Sequence, residues 1–338
     1  MIFSGFDSPV FLAPMAGVTD RPFRQVLAGC GRGNMYAEMA AINALQRKNP
    51  KSWQIADVRS ENYPVVVQLV GNDAALFSEA AKLVADLGAR SLDINMGCPV
   101  KKIVNNESGS ALMKDMPRAA KIIEAVVKAT PLRVSVKFRK GWDNEHINAV
   151  PFAKMCEESG ASYITVHGRT RAQGYSGEAD WNIIKAVKES VKIPVIGNGD
   201  IDSPQKAKQR MAESGVDGVM IGRAVLGNPW LLNQTHEYLQ NNILPSEPTI
   251  LQIKEMLLNH LRLLAEYYGE KSAIAISRKH VGWYVRSLYE AKKFREQYTK
   301  IADFTTAEKL INDYFSGLEA RRLLLAAHRV SVKVLLGI

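Results

Sequence analysis

The sequence is poor in cysteine, and its cysteines form no recognisable pair. Cys30, Cys98 and Cys156 are the only three, they lie far apart, and no CxxC motif occurs. The six histidines include no HExxH motif. These absences exclude a disulfide framework and a zinc site with the usual ligand spacing, so we expect three reduced thiols and no metal.

Long apolar runs are missing as well. No apolar stretch reaches the roughly 18 residues that a membrane span needs. The first residues, MIFSGFDSPVFLAPMAG, place no basic segment ahead of apolar ones, which argues against a secretory signal. We therefore expect a cytoplasmic protein without a membrane-spanning segment.

Acidic residues are in deficit. Lys and Arg number 44 against 34 Asp and Glu, which gives a formal net charge of +10. Such a balance favours a polyanionic partner without requiring one. The length of 338 residues and the apolar fraction of 46% indicate one large domain with a smaller one beside it.

What the sequence does contain is one phrase repeated eight times: a short apolar run, a polar or glycine-containing turn, and a longer amphipathic stretch. The runs are VFLAPMA (10–16), MYAEM (35–39), VVVQLV (65–70), SLDINMG (91–97), RVSVKFR (133–139), YITVHG (163–168), PVIGNG (194–199) and GVMIGR (218–223). Strands that alternate with helices indicate a parallel sheet, and eight units predict a closed (β/α)8 TIM barrel. A doubly wound sheet is the alternative.

Two of the predicted helices show their signals clearly. In residues 73–88 an apolar stripe of Leu76, Ala80, Leu83 and Leu87 precedes Gly88, which marks a helix end. In residues 203–215 a serine cap is followed by a proline at the first helical position.

The repeated phrase stops after residue 229, and a polar linker at 240–249 leads into a segment with only helical periodicity. We therefore divide the chain into a barrel, residues 1–240, and an all-α helical bundle, residues 241–338. Residues 271–300 carry eight Lys and Arg against two Asp and Glu. Lys279, Arg286 and Lys293 would line one side of this segment if it forms an unbroken helix. The aromatic residues Trp283, Tyr284 and Tyr289 are expected to pack inward.

Active sites of such barrels form at the carboxyl ends of the strands. The residues there are polar or small: Pro14, Met15, Ala16, Glu38, Gln68, Asn95, Cys98, Lys137, Arg139, His167, Asn198, Gly199, Asp200, Gly222 and Arg223. The last two turns combine glycine with arginine, which suits a phosphate. Gln68 and Lys137 could hydrogen-bond a planar heterocycle. A Rossmann fingerprint is not supported, because Asp202 stands where its third glycine would be.

Each of these residues also has a structural interpretation. A lone cysteine is usually a small buried hydrophobe, and a lone histidine such as His167 is usually part of a core. Lys101 and Lys102 could be a solvated face. For Cys98, the position in a glycine-flanked turn at a strand end favours a functional role.

Seven motifs together resemble one family. They are LAPMAGVTDRPFR (12–24), DINMGCPVKK (93–102), GSALMKD (109–115), VKFRKGW (136–142), HGRTRAQGYSG (167–177), NGDI (198–201) and MIGRA (220–224), and RKHVGWY (278–284) extends the likeness into the helical segment. This set resembles the bacterial tRNA-dihydrouridine synthases, most closely the B-type branch. The resemblance implies an FMN enzyme that uses NADPH to reduce uridines in the D-loop of tRNA, at position 17 by analogy with that branch.

The resemblance also implies roles for residues. The FMN contacts would be Pro14, Met15, Ala16, Gln68, Lys137, His167, Asn198, Gly199, Asp200, Gly222 and Arg223. Cys98 would be the general acid, because hydride delivered to C6 of uracil leaves negative charge toward C5 and O4. Segment 99–114 would be a mobile loop that carries this cysteine.

Contacts to tRNA would come from the remaining polar and basic residues. They are Asn95 and Arg139 at the pyrimidine, and Lys101, Lys102, Arg169, Arg171, Lys279, Arg286 and Lys293 at the phosphates. We expect a monomer. Two alternatives remain: an FMN-dependent dihydroorotate or dihydropyrimidine dehydrogenase acting on a free base, and a non-catalytic RNA-binding protein.

Overall fold

The computed structural model describes residues 6–336, with side chains described as far as Leu324. Within this range the chain forms two compact units: one holds residues 6–225 and 229–244, and the other holds residues 226–228 and 245–336. The boundary between the two units lies after residue 244, four residues later than expected. Residues 226–228, which precede the linker, group with the second unit. Residues 1–5 and 337–338 of the expected ranges lie outside the described residues.

The first unit contains an eight-stranded parallel sheet. Its strands are β1 (Val10–Leu12), β2 (Met35–Ala41), β3 (Val65–Val70), β4 (Ser91–Met96), β5 (Arg133–Arg139), β6 (Tyr163–His167), β7 (Val195–Asn198) and β8 (Gly218–Ile221). Strand β1 pairs with β8, and a parallel bridge between Phe11 and Asn34 closes the gap to β2. The predicted (β/α)8 barrel is confirmed, and a doubly wound sheet is excluded because the first and last strands are neighbours.

Helices follow the strands in the expected alternation. They are α1 (Arg21–Gly29), α2 (Ile42–Gln46), α3 (Pro50–Ala56), α4 (Ala74–Asp86), α5 (Lys101–Val104), α6 (Met116–Ala129), α7 (Ala149–Glu158), α8 (Trp181–Ser190), α9 (Pro204–Ser214) and α10 (Leu231–Asn241). Ser203 caps α9 through a hydrogen bond from the amide of Lys206, with Pro204 at the first helical position, as predicted.

The buried face of α4 differs from the predicted stripe. The fully buried residues within the helix are Phe77, Ala80, Ala81 and Val84, whereas Leu76 and Leu83 are only half-buried. Ala80 and Leu87 of the predicted stripe are buried, as expected, so the buried face is only partly rotated from the predicted one, toward Phe77, Ala81 and Val84. Both stripes are apolar because α4 is apolar over more than half its circumference, so its sequence did not distinguish them.

The second unit consists of four helices. They are α11 (Ile250–Tyr268), α12 (Glu270–Tyr284), α13 (Ala291–Tyr298) and α14 (Phe304–Leu336). A capping box begins α11, in which Thr249 accepts from the Gln252 amide at 3.2 Å and Gln252 accepts from the Thr249 amide at 2.8 Å. The core joins apolar residues of all four helices, among them Leu261, Val281, Phe294 and Ile311. The predicted helical bundle is confirmed.

Among the described helices, none combines the length and the apolar character needed to cross a bilayer.

Candidate active site

The turn after β4 places Cys98 at the carboxyl end of the barrel. The Asn95 side-chain oxygen accepts hydrogen bonds from the amides of Gly97 and Cys98, at 3.1 and 2.9 Å. The carbonyl of Cys98 accepts from the Ser110 hydroxyl at 2.9 Å, and the Gly97 carbonyl accepts from Arg139 Nε at 2.8 Å. The backbone on both sides of the thiol is therefore fixed by three side chains from different elements.

The Cys98 thiol is half-buried, and burial raises its pKa above the ordinary value. The hydrogen bond involving Val100 and the charges of Arg139 and Lys137 oppose that shift without cancelling it. The thiol therefore keeps its proton at neutral pH. This is the protonation state that a proton donor needs.

A chain of amide hydrogen bonds leads from the Cys98 turn into the barrel interior. Asn95 Nδ2 donates to Gln68 Oε1 at 2.8 Å, and Gln68 Nε2 donates to Asp93 Oδ2 at 2.6 Å. Asp93 also accepts from the Ser135 hydroxyl at 2.5 Å. Because each amide has one donor end and one acceptor end, the carboxylate of Asp93 sets the orientation of both amides.

Sequence reasoning assigned no role to Asp93, Ser135 or Ser110. Burial raises the pKa of Asp93 to about 7 against the opposing hydrogen bonds from Gln68 and Ser135. Asp93 lies two residues before Asn95, so the two side chains share the interior face of β4. The polar residues at alternate positions of β4, Ser91, Asp93 and Asn95, were the signal that could have identified it.

Three strands bring Lys137, His167 and Asn198 together. Lys137 Nζ donates to Asn198 Oδ1 at 3.0 Å, while Asn198 Nδ2 donates to the Met220 carbonyl at 2.8 Å. Burial and the charge of Arg139 lower the pKa of Lys137 to about 8, so it is mostly protonated at neutral pH. The hydrogen bond to Asn198 thus holds the ammonium group of Lys137 inside the mouth of the barrel.

His167 is uncharged in this setting. Burial, followed by the charges of Lys137 and Arg139, holds the pKa of His167 well below its usual value. Its Nδ1 accepts from the Arg169 amide at 3.2 Å, which places the proton on Nε2. The ring therefore offers one N–H donor to the same mouth.

The turns after β7 and β8, where the sequence predicts a phosphate cradle, follow two neighbouring strands at this end of the barrel. Gly199 has φ +134°, and a Cβ added there would overlap the Cβ of Ala179, so this position requires glycine. Asp200 accepts from the Ala179 amide at 2.7 Å, and Arg223 Nη2 lies 3.7 Å from its other oxygen. Burial alone would raise the pKa of Asp200, but the bonds from Ala179 and Arg169 and nearby arginine charges lower it.

Arg169 is not on an exposed basic rim, where the sequence placed it. Its side chain is 3% exposed and donates to the carbonyls of Ser176 and Gly177 and to Asp200 Oδ2, the last at 2.8 Å. The guanidinium links the loop after β6 to the cradle. Because the side chain is buried and its hydrogen bonds are made within the protein, the structure does not support a direct contact between Arg169 and RNA.

Arg139 also makes its hydrogen bonds within the protein. Besides Gly97, it donates from Nη1 to the carbonyls of Thr170 and Gly174, each at 2.9 Å. The sequence predicts a substrate contact at this residue. The structure shows in addition that Arg139 fastens the loop after β6 to the cysteine turn.

The other predicted barrel residues lie at the same end but make fewer contacts. Pro14, Met15 and Ala16 follow β1, with Ala16 exposed, and the Gly17 amide donates to Glu38 in the middle of β2. Lys101 and Lys102 are exposed on α5. Segment 99–114 folds into α5 and a 3-10 helix, Gly109–Lys114, with Ser108, Gly109 and Ser110 buried. Its movement remains a prediction.

In the helical unit, the assumption of one unbroken basic helix is wrong. Helix α12 ends at Tyr284 and α13 begins at Ala291, with Glu290 in the left-handed region at φ +54°. The break lets Val281, Val285 and Phe294 all reach one core. No Gly or Pro marks it in the sequence.

The three basic residues of this segment therefore lie on three successive pieces of backbone. Lys279 is half-buried in α12, Arg286 is exposed in the connecting turn, and Lys293 is exposed in α13. The inward packing expected of Tyr289 is also wrong, because this side chain is 52% exposed with Arg321 3.9 Å from its ring centre.

Among the described residues, no group of three or more His, Cys, Asp or Glu side chains could hold a metal ion, and all three cysteines are free thiols. The site therefore offers amides, cations, a thiol and a glycine-lined turn. Such a donor set suits a phosphate and a polar heterocycle.

Comparison with known proteins identifies relatives of this chain. The sequence model of the dihydrouridine synthase (Dus) family matches residues 11–318. The tRNA-dihydrouridine synthase B of Pseudomonas aeruginosa is 42% identical over 308 residues, which cover 91% of this chain and 92% of the relative. That of Vibrio vulnificus is 41% identical over 309 residues, or 91% and 96% of the two chains.

Two solved structures share the fold at low identity. Histamine dehydrogenase from Rhizobium sp. 4-9 aligns with a TM-score of 0.55 and 12% identity over 76% of this chain and 49% of its own. The 6-hydroxypseudooxynicotine amine oxidase of Pseudomonas geniculata N1 aligns with a TM-score of 0.53 and 15% identity, over 74% and 50%. This chain thus spans about half the length of either structure, and the likeness shows the fold alone.

Proposed function

The chain belongs to the dihydrouridine synthase family, and we propose that it reduces D-loop uridines of tRNA to dihydrouridine, with FMN as bound cofactor, NADPH as reductant and Cys98 as proton donor. The observation that carries this proposal is the position of the Cys98 thiol. The thiol is protonated, the backbone around it is fixed by three side chains, and it lies at the barrel end that also holds the cradle. The B-type names of the relatives support tRNA as the substrate.

The residues present fit FMN. The turn after β7 packs so closely on Ala179 that position 199 must be glycine, and the Arg223 side chain beside it is 57% exposed, where it can meet a phosphate. Deeper in the mouth, Lys137 and the Nε2–H of His167 supply donors for the carbonyls and nitrogens of the heterocycle, beside the amide of Gln68. Pro14, Met15, Ala16, Asn198, Asp200 and Gly222 complete the proposed contacts.

FMN, when bound, would supply the hydride for C6 of the uracil ring. The chain's own part is the proton that C5 then needs, which Cys98 donates from the anchored turn. Lys137 and Arg139 lie close enough to act on the thiol electrostatically, so their charges also stabilise negative charge that develops on the base. The Cys98 thiolate must regain a proton before the next turnover.

Asn95 has a further donor for the substrate. One N–H of its amide donates to Gln68, and within the described part of the chain the second N–H has the sulfur of Met39 as its partner, at 3.8 Å, which is a weak acceptor. A uracil carbonyl would be a better acceptor for that N–H.

Extracting the base from the folded tRNA costs a few kcal/mol, which phosphate contacts would offset.

The proposal is tested by comparing substrates. Enzyme-bound flavin is reduced with NADPH without oxygen, and its reoxidation is followed with unmodified tRNA, free uridine, uracil or orotate. We expect rapid reoxidation with tRNA alone. Reoxidation by a free base instead would favour the dehydrogenase alternative, and a protein purified without flavin would favour the RNA-binding alternative. A cytoplasmic location and a monomeric state remain part of the proposal.

Arg223→Ala is expected to weaken FMN binding. The change removes a charge-assisted contact with the phosphate, worth about 1.5–3 kcal/mol, or roughly 10- to 150-fold in the dissociation constant. Flavin content after dialysis and titration of the stripped protein with FMN measure the effect. Arg210→Ala is a matched control, because Arg210 lies on α9 and pairs with Glu213. Equal flavin occupancy in the two variants would refute the phosphate assignment.

The helical unit is expected to supply tRNA affinity. The triple variant Lys279→Ala/Arg286→Ala/Lys293→Ala should bind tRNA more weakly, with a salt dependence shallower by roughly 0.7–0.9 for each phosphate that the variant no longer neutralises. Flavin content and NADPH oxidation by O2 should stay near wild type. The control Lys121→Ala/Lys154→Ala/Lys309→Ala removes three exposed lysines elsewhere. A triple variant that binds like this control would move the RNA surface to the barrel.

A further inference from the structure

Two cations lie over one indole ring at the carboxyl end of the barrel. Lys114 Nζ is 4.0 Å from a ring centre of Trp142, and the guanidinium carbon of Arg171 is 4.5 Å from it. Both charges are thus held against one side chain, where like charges repel. The ring attracts both by cation–π interaction, which offsets part of that repulsion.

No carboxylate of the described residues pairs with either cation. Three acidic residues close to the cluster in sequence are already engaged: Asp115 with Arg118 at 3.1 Å, Asp143 with His146 at 2.7 Å, and Asp180 with Lys140 at 3.5 Å. The Nε atom of Arg171 is buried and has no hydrogen-bond partner. The cluster is therefore a site of positive charge that the protein itself leaves uncompensated.

The cluster belongs to the same barrel end as Cys98. Lys114 closes the 3-10 helix in which Ser110 binds the Cys98 carbonyl. The Trp142 carbonyl accepts from the Ala172 amide at 2.9 Å, and Asn148 donates to the Met113 carbonyl at 2.7 Å. These bonds connect the loops after β4, β5 and β6, so the cations and the thiol share one framework.

We propose that Lys114 and Arg171, held over Trp142, bind a phosphodiester of the RNA substrate next to the uridine that Cys98 protonates. This inference rests on the proposed function and adds a binding subsite to it. Two clustered cations without a counterion suit an anion that arrives with the substrate. A half-buried indole covered by cations is not available for stacking on a base, which favours phosphate over base recognition.

The test is tRNA binding by the flavin-loaded double variant Lys114→Gln/Arg171→Gln. We expect roughly tenfold weaker binding of unmodified tRNA, the lower end for charge-assisted contacts, because both side chains stay partly hydrated. The salt dependence should become shallower by roughly 0.7–0.9 for each phosphate that the variant leaves unneutralised. The control Lys121→Gln/Lys154→Gln, on the outer helices α6 and α7, removes the same charge and should bind as wild type does. Trp142→Leu keeps both charges but frees their side chains, so it should weaken binding less than the double variant does.

Two results would overturn the inference. One is tRNA affinity and salt slope in the double variant equal to those of the control. The other is slower flavin reduction by NADPH with unchanged tRNA affinity, which would assign the cations to the dinucleotide phosphates. Thermal unfolding checks that the variant is folded, and Trp142→Leu gives a second measurement if it is not. If wild-type enzyme forms no dihydrouridine, the proposed function fails, whereas an active wild type with a neutral double variant refutes only this site.

Discussion

Cys98→Ala is expected to retain its flavin and its reduction by NADPH while transferring hydride to tRNA more slowly, by on the order of 10²–10⁴-fold. The substitution removes the positioned proton donor and leaves the cradle untouched. Rapid mixing of the reduced enzyme with tRNA measures the affected step, and rapid mixing of the oxidised enzyme with NADPH measures the unaffected one.

The matched control is Cys30→Ala. Cys30 is also half-buried, but its thiol donates to the Val26 carbonyl at the end of α1, and burial raises its pKa to about 12. That variant should reduce tRNA at the wild-type rate. If Cys98→Ala slowed flavin reduction by NADPH as steeply as tRNA reduction, the thiol would not be the proton donor.

The raised pKa of Cys98 also sets the pH dependence of tRNA reduction. The donor form is the protonated thiol, so its fraction falls as pH rises through the pKa. Because burial moves this pKa upward, the rate of the tRNA step should stay level past the range in which an ordinary thiol ionises, and decline only above it.

Arg169→Met is expected to lower the free energy of unfolding by about 3 kcal/mol and to weaken flavin binding. Breaking a buried ion pair costs about 3–5 kcal/mol, and the lower end applies because the Asp200 side chain is 25% exposed. The Asp200 carboxylate, left with only the longer contact to Arg223 as an ion pair, would also repel the cofactor's phosphate. Thermal unfolding and flavin titration measure the two effects.

Arg171→Met is the paired comparison, since it lies two residues away and removes the same charge. It should cost less than about 1 kcal/mol of stability, the worth of an exposed cation–π contact, and lose tRNA affinity instead. If Arg169→Met were as stable as Arg171→Met, kept its flavin and lost tRNA affinity, the RNA contact predicted from sequence would be correct at both positions.

Most of the barrel could be predicted from sequence because its signals are local. Seven of the eight apolar runs contain their strands, and the second, 35–39, covers β2 except for its last two residues. The residues that end the runs meet at one rim because parallel strands share a direction. The Ser203 cap of α9 could be predicted because a serine directly before a proline is a typical helix start. The serine hydroxyl then accepts from the amide three residues later.

What could not be predicted depends on contacts distant in sequence. Arg169 and Arg171 look alike in the chain, and the buried one is distinguished by its contacts with Asp200, Ser176 and Gly177. The break between α12 and α13 follows from packing on a shared core, without a helix-breaking residue. Lys114 and Arg171 meet over Trp142 only because three loops converge.

The most direct test of the proposed reaction is to map dihydrouridine in tRNA from a strain that lacks this protein, before and after complementation. We expect a D-loop dihydrouridine, at position 17 by analogy with the B-type relatives, to be absent from the deletion strain. Wild-type protein should restore it, and Cys98→Ala expressed at the same level should not. A D-loop unchanged by deletion, or restored equally by both proteins, would contradict the account.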